Sequence, residues 1–257
     1  MESCQNLVLY TNVKTKILFL FVTVIVGSTL CSLSLSPPAY FDNPKNFLNK
    51  AFVKFSWGWT LLLLVPLVIL TSYVYELGSR AGVVKNCIRI VISHVIWFVV
   101  TTAFVILDDN VGTCSKAGFV HKSPCYSNKG IWYGFDISGH TFLLCYIIFV
   151  ITEECIPIIP QTWNKAENIL HRPILLRRYK KISSVLNWLR WYATFIIILA
   201  CIMTLATNLY FHTMPEKILG FLVAVLSWYI TYCIMYGNIW FLPKPDYTTK
   251  ELFKEQH

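Results

Sequence analysis

Charge is scarce in this chain. Only 14% of its 257 residues are Asp, Glu, Lys or Arg, while 56% are hydrophobic and the mean hydropathy is +0.56. That balance excludes an ordinary soluble globular domain. Acidic residues are scarcest, 13 against 22 basic ones, which leaves a net charge of +9. The basic residues are not gathered into a reading helix or a glycine-rich platform, so no nucleic-acid partner is expected. Neither Cys114 nor Cys125 has a partner at zinc-finger spacing, and no metal or other cofactor is expected. An inverted repeat of broken helices, the mark of many transporters, is also missing.

Long apolar runs are what the chain does have. Crossing about 30 Å of hydrocarbon takes about 20 mostly apolar helical residues. Runs near residues 17–35, 55–76, 87–107, 139–160, 191–211 and 218–241 meet that requirement. The pattern predicts an all-α polytopic membrane protein of about six spans, with residues 1–257 forming a single integral membrane domain. The first run also reads as a cleavable signal, since Lys14 and Lys16 precede it and "CSLSLS" follows. Either way the N-terminus starts in the cytosol.

Orientation follows from the connecting segments. With the N-terminus inside, 15 Lys and Arg face the cytosol and 7 face the other side, which predicts cytosolic termini. The segment "HRPILLRRYKK" contributes most and would favour an anionic membrane surface. Trp57, Trp59, Trp132, Trp163, Trp188, Trp191 and Trp240 fall near span ends, where an indole buries its rings and hydrates its N–H; Trp97 and Trp228 sit deeper, as packing residues. Most cysteines lie in or beside spans and read as small hydrophobes. Cys114 and Cys125 differ, because both lie in one loop on the non-cytosolic side, where an oxidising compartment would permit a disulfide.

Two histidines share that side. His140 opens the fourth span in "GFDISGHTFLL", and His212 closes the fifth in "NLYFHTMPEK". Ser138 suits an N-cap, Gly139 lets a ligand approach the backbone, and the helix start offers free N–H groups to a phosphate. One histidine can attack phosphorus while the other protonates the departing oxygen, without a metal. The alternative is plain: a capped helix, with histidines that face water.

The strings "FDISGH", "TFLL" and "YFHTMPEK", within a six-span layout, resemble the fat storage-inducing transmembrane protein family, which is related in motif to lipid phosphate phosphatases. The resemblance implies an endoplasmic reticulum membrane protein with a lumenal active site. It further implies cleavage of the phosphoanhydride of fatty acyl-CoA to acyl 4'-phosphopantetheine and adenosine 3',5'-bisphosphate, in support of lipid-droplet formation. By the same resemblance His212 is the nucleophile and His140 the acid that protonates the leaving group. The phosphatase pattern orients its nucleophile with an aspartate four residues on; this chain has Glu216 there, where "TMPE" also reads as a capping box. Asp136, just ahead of the His140 helix, is expected to support the site.

The departures are informative. Where the phosphatase pattern has Ser-Arg ahead of its second histidine, this chain has Leu205 and Ala206. A string from Lys165 to Arg172 and Pro173 fits the other phosphatase motif but is in the wrong order and on the cytosolic side. Phosphate charge is then expected to meet the helix N-terminus and Lys129, Lys122 or Lys217. Glu153 and Glu154 lie about 20 Å along the helix from His140, too far to share its site, and are expected to snorkel at the helix end. His94 reads as a hydrogen-bonded packing residue. Two further readings stand beside the hydrolase. One is a non-catalytic protein that binds triacylglycerol or diacylglycerol and partitions neutral lipid into budding droplets. The other is a transporter that uses Glu153, Glu154 and His94. Protein partners are not indicated.

Overall fold

The computed structural model describes residues 2–38, 40–76, 78–158, 173–236, 238–239 and 242–245. Trp163, Lys165, Arg172, Trp240, Lys250 and Lys254 lie outside them. In chain order the elements are α1 (Glu2–Tyr10), α2 (Val13–Ser32), a π-helical turn (Asn49–Val53), α3 (Ser56–Tyr75), α4 (Arg80–Val111), β1 (Thr113–Cys114), α5 (Lys122–Ser127), β2 (Trp132–Tyr133), α6 (Gly139–Glu154), α7 (Pro173–Tyr210) and α8 (Met214–Trp228), which continues as a π-helix to Met235. Short 3₁₀ turns occupy Tyr40–Asp42 and Ile156–Ile158.

The arrangement follows from which helices are apolar on all sides. In α6 every residue from Thr141 to Thr152 is buried, so this helix forms the centre, ringed by α2, α3, α4, α7 and α8. The outer helices turn large apolar side chains outward, among them Phe19, Val22, Phe98, Val105, Phe195 and Leu226. Such a continuous apolar exterior suits lipid rather than water. Five helical segments are long and apolar enough to cross a membrane: Val13–Ser32, Ser56–Tyr75, Arg80–Val111, Arg177–Tyr210 and Met214–Met235. The chain is therefore an all-α, multi-pass membrane protein.

The fourth run departs from its expected length. The sequence predicts a span over 139–160, whereas α6 stops at Glu154 after 16 residues, roughly 24 Å at 1.5 Å per residue. Pro157 supplies no amide and restricts the residue before it, so the chain leaves the helix in a 3₁₀ turn. A central helix that other helices enclose need not match the thickness of lipid, because it does not touch it.

Side-chain bonds fix the two ends of the bundle. At one end Lys16 Nζ donates to Thr152 Oγ1 (2.7 Å), the Tyr75 hydroxyl donates to the Pro157 carbonyl (2.9 Å), and Trp228 Nε1 donates to Glu153 Oε1 (2.9 Å). There Arg89 meets Glu154, Nε to Oε1 at 3.0 Å and NH2 to Oε2 at 2.9 Å, with both side chains almost wholly buried. The Tyr232 hydroxyl donates to the same carboxylate at 3.0 Å, and Arg89 also bonds Asn86. Glu154 thus faces inward rather than snorkelling outward, because a cation 65 residues away in sequence is folded against it. With Glu153 and Glu154 committed in this way, and His94 accepting from Trp57 Nε1 at 2.9 Å, the residues of the transporter reading hold the bundle together.

At the opposite end Ser36 Oγ donates to the Leu209 carbonyl (2.7 Å), the Tyr210 hydroxyl to the Pro37 carbonyl (2.8 Å), and the Ser138 amide to the Glu216 carbonyl (3.1 Å). This end carries both histidines.

Candidate active site

Each histidine is placed by a helix start. Ser138 is the N-cap of α6: its Oγ accepts from the Thr141 amide at 3.3 Å and shares a hydrogen bond with Thr141 Oγ1 at 2.9 Å. Ser138 is fully buried, so its hydroxyl serves the cap. The cap sets His140 in the first turn, where the unpaired amides and the positive end of the helix dipole lie.

His212 occupies the turn between α7 and α8 with φ of +60°, in the left-handed region that few non-glycine residues adopt. The next residues make the capping box that the sequence predicts. Thr213 is the N-cap, Pro215 lies in the first turn, and Glu216 Oε2 accepts from the Thr213 amide at 2.7 Å. Glu216 also accepts from the Asp136 amide through Oε1 at 3.2 Å, while its backbone carbonyl takes the Ser138 amide. One residue therefore joins the segment leading into α6 to the start of α8. His212 Nδ1 lies 3.8 Å from Glu216 Oε2, so Glu216 acts on the ring through charge rather than through a short hydrogen bond.

The two helix starts press together at Gly220. A Cβ there would lie 2.6 Å from the Ser138 carbonyl oxygen, a backbone atom with no room to move. Gly220→Ala is expected to destabilise the protein by about 1–3 kcal/mol through overpacking and to shift His140 away from His212. Thermal unfolding of the purified protein measures the first effect and the loss of turnover the second. Gly139 is the opposite case, since a Cβ there meets nothing within 4 Å. Gly139→Ala is expected to keep the melting temperature and to raise KM, because the new methyl group projects into open space that a substrate would fill.

That space is a cavity of about 400 Å³. Gly139, His140 and Leu143 of α6 line it, together with His212, Asp136, Trp97 and Thr101 of α4, and Val53 and Lys54 ahead of α3. Trp97, which lines it, stacks on Trp57 (centroids 5.8 Å apart), and Trp57 in turn stacks on Tyr146 (5.9 Å). Among the described residues no cluster of three His, Cys, Asp or Glu is spaced to hold a metal ion.

A disulfide-closed loop stands beside the cavity. Cys114 is bonded to Cys125, and β1 pairs antiparallel with β2, Cys114 opposite Trp132. Lys122 bridges this loop to the bundle, with Nζ 2.6 Å from Asp108 Oδ2 and 3.6 Å from Asp136 Oδ2. Partial burial opposes the charge on Lys122, but the hydrogen bond to Asp108 and the fields of Asp136 and Asp108 outweigh it and raise its pKa above the ordinary lysine value. Asp136 reaches the cavity, although its carboxylate turns toward Lys122.

The structure brings together His140, His212, Gly139 and Asp136, with Ser138 and Glu216 directly behind them. It differs from the sequence reading over the phosphate-binding lysines. Lys217 is buried and donates to the Asn208 carbonyl at 2.7 Å, Lys122 is held by two carboxylates, and Lys129 does not line the cavity. Lys54 does, and sequence reasoning missed it, as it missed Thr101. The only available signal was that Lys54 falls on the histidine side in the charge count.

The model of the fat storage-inducing transmembrane protein family matches residues 37–111 and 106–232 of this sequence. The chain belongs to that family. Among its relatives are proteins named acyl-coenzyme A diphosphatase FITM2. The Drosophila melanogaster protein is 31% identical over 94% of this chain and 62% of its own length, so the chain spans less than two thirds of that relative. The Xenopus tropicalis protein is 36% identical over 81% of this chain and 77% of its own. For the Homo sapiens protein the figures are 34%, 84% and 80%. No solved structure matches the chain. Both histidine segments of this family member, at 134–144 and 208–217, fall inside the matched regions.

Proposed function

We propose that this protein is a fatty acyl-CoA diphosphatase of the endoplasmic reticulum membrane, with the cavity facing the lumen and residues 1–257 acting as one integral membrane domain. The observation that carries the reading is that His140 and His212, 72 residues apart, line one cavity at the N-terminus of a buried helix. The names of the relatives supply the substrate class.

In this mechanism His212 attacks one phosphorus of the anhydride. An N–P bond forms as the bridging P–O bond breaks, and the bond's electron pair goes to the departing phosphate oxygen, which His140 protonates. His140, now neutral, then takes a proton from water as the water oxygen attacks the phosphohistidine and restores His212. The products are acyl 4'-phosphopantetheine and adenosine 3',5'-bisphosphate. The apolar side of the cavity, Leu143, Val53 and Trp97, receives the substrate where its chain enters the bundle. Lumenal placement rests on the excess of Lys and Arg on the opposite side.

The test is substrate choice by the purified protein in liposomes. Oleoyl-CoA is expected to give acyl 4'-phosphopantetheine by mass spectrometry, while phosphatidic acid releases no inorganic phosphate. Release of phosphate from phosphatidic acid, with oleoyl-CoA left intact, would make the protein a lipid phosphatase.

One observation favours a second role. An apolar cavity of about 420 Å³ lies between α1, α2, α6 and α7, lined by Leu7, Phe19, Leu20, Ile148, Ile197 and Ile202 among others. Its apolar lining suits an acyl chain of triacylglycerol or diacylglycerol, which would let the protein partition neutral lipid toward droplets. Binding of such lipids is expected to survive His140→Ala and His212→Ala.

A further inference from the structure

Cleavage of a diphosphate builds negative charge on oxygens that already carry it, so the site needs a fixed positive charge there. The histidines are occupied as nucleophile and acid, and Asp136 has the wrong sign. Of the seven lysines on this side of the chain, three are committed, and Lys45, Lys50 and Lys129 do not line the cavity. Lys122 is held by Asp108 and Asp136, Lys217 by the Asn208 carbonyl, and Lys116 Nζ donates to the Asn128 carbonyl at 2.6 Å. Lys54 lines the cavity itself and has an exposed side chain.

Its backbone is held firmly. The π-helical turn Asn49–Val53 delivers Lys54, whose amide donates to the Asn49 carbonyl at 3.1 Å. Asn49 Nδ2 donates to the Pro44 carbonyl (2.7 Å), Trp59 Nε1 to the Ala51 carbonyl (2.9 Å), and Ser56 Oγ to the Val53 carbonyl (2.9 Å). A rigid base with a free four-carbon stem suits a lysine that reaches a phosphoryl oxygen as a point charge.

We propose that Lys54 binds the phosphoryl oxygens of the scissile anhydride and stabilises their charge in the transition state. This rests on the hydrolase reading above. It also accounts for the missing arginine: the chain carries Leu205 and Ala206 where the phosphatase pattern has Ser-Arg, and the positive charge comes instead from a different element, ahead of α3.

The experiment compares wild type, Lys54→Ala, Lys54→Arg and Lys116→Ala in proteoliposomes, with oleoyl-CoA and with oleoyl-dephospho-CoA, which lacks the 3'-phosphate. Lys54→Ala is expected to lose about 100-fold in kcat/KM, chiefly in kcat, on both substrates. Lys54→Arg is expected to stay within about tenfold of wild type and Lys116→Ala within about twofold. The exposed side chain predicts unchanged melting; if Lys54→Ala nevertheless misfolds, Lys54→Gln carries the same expectation. Turnover of Lys54→Ala within about twofold of wild type would overturn the assignment and leave the hydrolase reading standing. A loss confined to oleoyl-CoA would also overturn it, because Lys54 would then be reading the 3'-phosphate. Absence of turnover by a folded wild type would sink both.

Discussion

His212→Ala is expected to reduce acyl-CoA hydrolysis by at least about 10³-fold, and His140→Ala by about 10²- to 10⁴-fold, with both proteins still folded. His212 lies in a turn at about one fifth exposure and His140 is half-buried at a cavity wall, so truncating either ring removes little of the core. The two act in one step, and the double variant is expected to be no slower than His212→Ala alone. The acid role of His140 predicts that turnover falls as pH rises and His140 loses the proton it must donate. A His140 variant that keeps wild-type turnover, with the same fall at high pH, would remove it from the chemistry.

Removing one member of the buried pair at the other end is expected to produce the largest structural effect. Glu154→Ala leaves the Arg89 guanidinium, 1% exposed, without its carboxylate, at a cost of about 3–5 kcal/mol. The Tyr232 hydroxyl loses its acceptor in the same variant. Arg89→Met combined with Glu154→Leu removes both charges and is expected to recover most of that loss, since an apolar pair of similar volume needs no desolvation of ions. Thermal unfolding of the detergent-purified proteins reads the comparison. Single and double variants that melt alike would show that the pair contributes little. The pair ties α6 to α4, and through Tyr232 to the π-helical end of α8, so it holds the end of the central helix remote from the histidines.

The outline of this architecture was legible because lipid imposes a simple rule: long apolar runs with charges between them. His140 and His212 could be placed on one face from run order and charge counting alone, and "SGH" and "TMPE" carried their caps in the local sequence. What escaped was set by contacts distant in sequence. Arg89 is one of the 15 cations that the charge count assigns to the cytosol, and only the fold brings Glu154 to it. The length of α6 was overestimated because Ile156 and Ile158 are as apolar as a span, while Pro157 ends the helix. Lys54 had no helical periodicity to place it, because the chain reaches α3 through a π-helical turn that neither a 3.6-residue nor a 2-residue pattern describes.

The most direct measurement is product analysis with oleoyl-CoA across wild type, His140→Ala and His212→Ala, each shown to be folded and present in equal amount in the same liposomes. The account predicts acyl 4'-phosphopantetheine and adenosine 3',5'-bisphosphate in equal amounts from the wild type, and neither above background from the variants. Equal cleavage by all three, or intact oleoyl-CoA after incubation with a folded wild type, would contradict it and leave a lipid-binding protein whose histidines only face water.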